Sequence, residues 1–179
     1  MKFIGKLIRE IIPVILGILI ALVINNWNED RKEKKYLSQI YASIEKEFKE
    51  NKLDIEENLP KQQVLTDSLG RYMNDESVTI FEIITKAKGI YGPTIKNNSW
   101  KAIANTKIEL VEFETLSLLT EIEESKEDLK LKREKVLEFM IENLKNTSTE
   151  KKEIFMLLNQ ELVSTEKQIL LEMNDYLAK

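Results

Sequence analysis

Between Ile11 and Ile24 the chain runs for fourteen residues, IIPVILGILIALVI, without a charged side chain. A run of this kind belongs in the core of a helical protein, in the apolar region of a signal peptide, or in the hydrocarbon of a bilayer. As a helix it covers about 21 Å against a hydrocarbon layer of about 30 Å, so its length alone leaves all three open. The flanks decide. Phe3, Ile4, Leu7 and Ile8 continue the apolar face upstream, Lys6 and Glu10 stand four residues apart, and Arg9 is long enough to snorkel, so the embedded helix is expected to start near Phe3. Trp27 follows the run at the depth where an amphipathic ring prefers the headgroup layer. No small-x-small cleavage site follows it. The reading is a retained single span, residues 1–28, ahead of a helical domain at 29–179.

Orientation is close to balanced, with Lys2, Lys6 and Arg9 on one flank and Arg31, Lys32, Lys34 and Lys35 on the other. The expectation is a single-pass protein of a bacterial inner membrane, with the bilayer as a partner and the domain on the cytoplasmic side. The whole chain of 179 residues is 32% charged yet carries only five Gly and three Pro, the make-up of long helices rather than of sheets and tight turns. The fold expected is therefore all-α, an N-terminal transmembrane helix continuing into an antiparallel helical bundle. A net charge of −4 with Lys and Glu intermixed offers no basic footprint, so no nucleic-acid partner is expected.

One stretch carries a resemblance. Gly17-Ile18-Leu19-Ile20-Ala21-Leu22-Val23-Ile24-Asn25-Asn26-Trp27-Asn28-Glu29-Asp30-Arg31-Lys32 resembles the signature GILIALxINNWNExRK. That signature closes the only membrane span in an uncharacterised family of single-span helical proteins from Bacteroidota genomes. Ser99-Trp100-Lys101-Ala102 followed by Leu116 to Ile122 is similar to a looser pattern of the same family. The resemblance implies a single-span helical membrane protein and brings no activity with it.

Beyond Trp27, Leu37, Tyr41, Ile44, Phe48, Ile55 and Leu59 fall on one helical stripe, so the anchor helix is expected to continue as far as Pro60. Val64 to Met73 predicts a second helical segment ending near Asn74-Asp75, and Val78 to Ala87 a short third one. Gly89 to Asn98 reads as loop. Ser99 is placed as the N-cap of a short helix, and a long helix is expected from about Glu109 to Lys145. Thr147 and Glu150 have capping-box spacing for a last helix to Leu177, with Phe155, Leu158, Leu162, Thr165, Ile169, Met173 and Tyr176 inward.

Chemistry is sparse. With no His and no Cys the chain lacks the usual acid/base near neutral pH, every Ser-His or Cys-His pair, and the commonest zinc ligands. Its glycines form no phosphate-cradling motif, and Glu109/Glu112 and Glu121/Glu124 read as solvated faces. Arg133 reads as surface. No enzyme activity, no metal and no cofactor are expected. Trp100, beside Asn97 and Asn98, reads either as the cap of the core, the favoured choice, or as the anchor of a partner surface.

The span itself carries the functional expectation. A short run, Pro13, Gly17 and the boundary amides Asn25, Asn26 and Asn28 all favour association of helices, as small residues allow close approach and amides hydrogen-bond across helices. Lys6, Arg9 and Glu10 would share that interface. The first reading is a homo-oligomer joined through its N-terminal helices, an accessory or effector able to enclose a pore. The second is an anchored scaffold or sensor, monomeric or dimeric, whose bundle binds a protein partner.

Overall fold

The computed structural model describes the backbone of residues 2–178 and the side chains of residues 11–178. Its elements are α1 (Lys2–Arg71), α2 (Ile80–Lys86), α3 (Asn98–Ala104), a 3₁₀ turn (Ile108–Leu110), α4 (Phe113–Asn143) and α5 (Thr149–Leu177), with no strand among the described residues. The fold is all-α. Packing divides the chain into two compact units, Met1–Ala42 and Ser43–Lys179.

In the first unit the large apolar side chains from Ile11 to Ile24 are exposed around the whole circumference of the helix, from 43% at Ile11 to 67% at Val23. This is the one candidate membrane span among the described residues, helix long enough and apolar enough to cross a bilayer.

In the second unit α4 and α5 form an antiparallel hairpin. Phe139 stacks on Phe155 at 6.1 Å, Lys132 reaches Thr165, and Ser125 reaches Glu172, so positions descend on one helix as they rise on the other. Residues 43–71 of α1 lie antiparallel to α5, from Phe48 against Tyr176 to Tyr72 against Lys152. The core between them holds Ile44, Phe48, Ile55, Leu65 and Leu69 with Leu119, Ile122, Leu129 and Val136 and with Phe155, Leu162, Ile169 and Met173. Lys152 is fully buried, and its ammonium donates to the carbonyls of Tyr72 (3.0 Å) and Asp75 (2.6 Å) just past the end of α1. These carbonyls also accept the Asp75 and Val78 N–H groups in the turn after α1, and positive charge is favoured at that end of a helix.

The fourth stave is not a helix. Residues 90–97 are extended and run antiparallel to α1: Tyr91 pairs with Gln62, Thr94 with Asp54, Lys96 with Asn51. They run antiparallel to α4 as well, since Pro93 meets Arg133 while Asn97 meets Glu123 and Lys126.

Several local expectations need correction. Pro60 does not end a helix; α1 continues to Arg71. Proline removes one N–H and crowds one carbonyl, but buried Ile55 behind it and Leu65 and Leu69 ahead hold the helix against the core. The helix also stops at Arg71, short of Asn74-Asp75. Ser99 is not the cap of α3; Asn97 stands there without a capping bond, and Ser99 gives its N–H and hydroxyl to Glu47. The long helix starts at Phe113 and ends at Asn143, the residues from Ile108 to Leu110 being a 3₁₀ turn. Ser148 rather than Thr147 caps α5, accepting from the Lys151 N–H. The capping box of this chain is Thr79 with Glu82, opening α2.

Candidate functional site

An extended segment packed between helices has no ladder for its backbone, and buried N–H and C=O groups left unpaired are costly. Here the partners are side chains. Along one face of α1, Glu47, Asn51, Asp54, Asn58 and Gln62 recur at steps of four, three, four and four, the spacing of a single helical stripe. Glu47 accepts from Ser99, Asn51 both donates to and accepts from Lys96, Asp54 accepts the Thr94 N–H at 2.7 Å, and Gln62 donates to the Tyr91 carbonyl at 3.1 Å. The hydrogen bonds of Asn58 go to Asp54 rather than to the segment. One, at 2.9 Å, is to the carboxylate, and so orients the group that does bind the segment. From the other side Arg133 donates to the Pro93 carbonyl at 2.8 Å.

The seam ends at Glu166, which no solvent reaches. One carboxylate oxygen accepts from Gln62 at 3.1 Å and lies 3.9 Å from the Arg133 guanidinium; the other has no protein partner, nor has the side-chain oxygen of Gln62. Burial pushes the Glu166 carboxyl up to about 7, outweighing the hydrogen bond from Gln62 and the charge of Arg133. Arg133 is therefore half-buried and structural rather than the free surface cation expected from its neighbours.

Two cavities of about 190 Å³ each flank Arg133 along α4. The one towards the start of α4 is lined by Thr94, Ile95, Lys126, Leu129, Lys130 and Arg133. Its neighbour is lined by the segment at Ile90–Gly92, by Arg133, Val136 and Leu137, and by Asn159 and Leu162 of α5. A Cβ on Gly92 would stand 3.3 Å from the Arg133 guanidinium, so glycine there leaves room for it. Near the first cavity Asn97 bridges Glu123 and Lys126, and Lys101 pairs with Glu123 at 3.2 Å.

The residues singled out in the sequence fall in different places. The side chains of Lys6, Arg9 and Glu10 lie outside the described residues. Pro13, Gly17, Asn25, Asn26, Trp27 and Asn28 all lie within α1, with Trp27 64% exposed and the Arg31 guanidinium 6.0 Å from its ring. Trp100 is buried at 6%, as the favoured core reading had it, and Asn97 is buried at 2%; only Asn98 is exposed. Sequence reasoning missed the seam. The readable signal was that Asn51, Asn58 and Gln62 sit on the same inward arc as Ile55 and Leu65, where surface amides do not belong. No family model, no curated protein and no solved structure matches the chain.

Proposed function

We propose that this chain is a membrane-anchored, non-enzymatic helical protein whose N-terminal helix crosses a bilayer once and joins copies of the chain side by side. The observation that carries this is the Ile11–Ile24 surface, apolar and open on every face. A core helix of a soluble protein would be covered on at least one side. The likeness of Gly17 to Lys32 to a single-span family signature supports the same reading, as does Trp27 at the end of the run.

Association follows from mismatch and from small residues. The uncharged run covers about 21 Å of about 30 Å of hydrocarbon, so the upstream turns that complete the span bring Lys6, Arg9 and Glu10 towards the bilayer, a cost that association lowers. Gly17 and Ala21 stand four residues apart, the spacing that lets two helices approach closely. A side chain on Gly17 would meet nothing within 4 Å, so no contact within the chain calls for glycine there. Since the Ile11–Ile24 stretch carries no polar stripe, a dry packed interface is favoured over a water-filled pore. Asn25, Asn26 and Asn28 would hydrogen-bond between helices at its mouth, with the bundle on the cytoplasmic side of an inner membrane.

Cysteine scanning from Ile11 to Asn28, in a chain with no Cys, tests this directly. Disulfide crosslinks should recur with helical period and peak at positions 17 and 21. A monomeric mass in mild detergent with no crosslinks at any position would remove self-association.

The second reading, an anchored scaffold or sensor, is favoured by a separate observation: the polar seam and the cavities beside Arg133 lie in the bundle and owe nothing to the span.

A further inference from the structure

Two side-chain oxygens inside the bundle have no protein donor, and they belong to two groups that already touch. Gln62 donates one amide hydrogen to the Tyr91 carbonyl and one to Oε1 of Glu166, both at 3.1 Å. Those two acceptors fix which side of the amide carries the nitrogen. Left over are Gln62 Oε1 and Glu166 Oε2, in residues 1% and 0% exposed. Both are acceptors when Glu166 is ionised, and buried acceptors without a donor are costly. A single proton on Oε2 supplies the missing donor: the Glu166 O–H, given to Oε1 of Gln62, closes a ring of two hydrogen bonds between carboxyl and carboxamide.

The charges around Glu166 do not stand in for that proton. On α5 itself the positions three and four residues away, Leu162, Val163, Ile169 and Leu170, are apolar. From α1 come Gln62 and the carboxylate of Asp54, whose charge opposes ionisation. From α4 comes Arg133, its guanidinium at 3.9 Å, beyond hydrogen-bonding distance and already donating to the Pro93 carbonyl at 2.8 Å. Lys132 beside it is paired with Asp128 at 2.7 Å. The extended segment adds no cation, because Lys96 pairs with Glu50 and the Tyr91 hydroxyl donates to the Lys88 carbonyl. Burial therefore prevails over the hydrogen bond from Gln62 and the charge of Arg133, and holds the carboxyl up to about 7.

Both partners of Glu166 also hold the extended segment. Gln62 holds Tyr91 and Arg133 holds Pro93, while Asp54 and Asn51 hold Thr94 and Lys96 beyond them. Pro93, Ile95 and Asn97 are buried and Gly92, Thr94 and Lys96 exposed, so this stretch is covered on one side only. Such an element can open without global unfolding. Loss of the proton removes the ring that orients the Gln62 amide and leaves a carboxylate competing with the Pro93 carbonyl for one guanidinium. Tyr91 and Pro93 then lose their anchors together.

We propose that Glu166 is a proton-operated clasp: protonated, it locks Gln62 and Arg133 onto residues 90–97, and ionised, it releases that segment from the bundle. The proton is exchanged with solvent when the segment opens. The clasp lies wholly within the second unit and is independent of the reading of the span.

Amide hydrogen exchange of the full chain in mild detergent, corrected for the intrinsic rate at each pH, reads the opening of the segment. Once open, the carboxyl returns to its ordinary 4.5, so between 4.5 and about 7 the open state gives up a proton that the closed state keeps, and opening grows as pH rises through that window. Protection of the Thr94 and Lys96 N–H groups should fall about tenfold or more from about pH 5.5 to about pH 8.5, and at both it should lie below that of the hairpin amides at Leu129 and Leu162. Glu166→Gln, neutral at every pH and able to close the same ring, should keep the protection that the wild type shows at the lower pH. Infrared difference spectra of the wild-type chain alone should show a neutral-carboxyl band lost near pH 7. A wild-type profile flat in pH, a fall of equal size in Glu166→Gln, or segment protection equal to that of the hairpin at both pH values overturns the clasp. So does a spectrum with no neutral carboxyl titrating above about pH 6, the signature of an ionised Glu166 with a water between the two oxygens.

Discussion

The carboxamide of Asn51 grips the backbone of Lys96 at two points, donating to its carbonyl at 2.7 Å and accepting its N–H at 2.9 Å. A helix side chain thereby does for an extended segment what a neighbouring strand would do in a sheet. Asn51 is 1% exposed, so both bonds are shielded from water. Replacing it by Leu keeps the volume and leaves both backbone groups without partners. Asn51→Leu should cost about 2–4 kcal/mol, read as a lower midpoint in urea by far-UV circular dichroism. Asn51→Asp, able to accept but not to donate, should fall between it and wild type.

This arrangement also marks how far the sequence could be read. The inward positions of Ile44, Phe48 and Ile55 and of Phe155, Leu162, Ile169 and Met173 followed from their spacing, because apolar side chains at a helical period have only one place to go. Val78 to Ala87 was legible as helix for want of a partner strand, and α2 occupies Ile80–Lys86. The seam left only one trace in the sequence, the placement of Asn51, Asn58 and Gln62 on the inward arc of Ile55 and Leu65. Asn51, Asp54, Asn58 and Gln62 have the same composition as a solvated helix face, and what buries them is a segment 40 residues away from Asp54 in the chain. Pro60 misled for a related reason, since its local cost is fixed while the burial that offsets it comes from other elements.

Glu166 makes stability depend on pH with the opposite sign to an ion-paired carboxylate. Its folded pKa, about 7, lies above its ordinary value of 4.5, so the folded state favours the protonated form. That contribution is fully favourable below about 4.5, declines as pH rises towards 7, and above 7 is a constant penalty of roughly 3 kcal/mol. Glu166→Gln should remove it. Relative to wild type the variant should gain stability between pH 5 and pH 8, read as the difference in urea midpoints; a flat difference would contradict this assignment.

Lys152 should be as sensitive to removal as any apolar core residue. Lys152→Met keeps the stem and loses the ammonium, leaving the Tyr72 and Asp75 carbonyls with only the backbone N–H groups of Asp75 and Val78. A loss of about 2–4 kcal/mol is expected, with the largest gain in amide exchange around residues 69–75. Exchange that rises evenly over the chain would mean that Lys152 does not hold this end locally.

Trp27 should report the depth of the span. In vesicles, the fluorescence that disappears in Trp27→Phe should be quenched more by lipids brominated near the headgroup than by lipids brominated deep in the chains. Deep quenching would displace the boundary now drawn at Ile24 and Asn25.

The segment at residues 90–97 has a further consequence, for the order of assembly. The α4–α5 hairpin closes through a short turn and forms from near neighbours, whereas the segment is held across separations of 29, 40 and 45 residues, to Gln62, Asp54 and Asn51. Such contacts carry a larger closure entropy and form after local ones. The amides of Asn51 and Gln62 and the guanidinium of Arg133 must already be in place before there is anything for it to dock against. Contacts of α1 with α5 span more still, 104 residues from Gln62 to Glu166, so the segment docks on a surface that is itself completed late, and a slow refolding phase should be sensitive to Asn51 and Arg133 and indifferent to the α4–α5 turn.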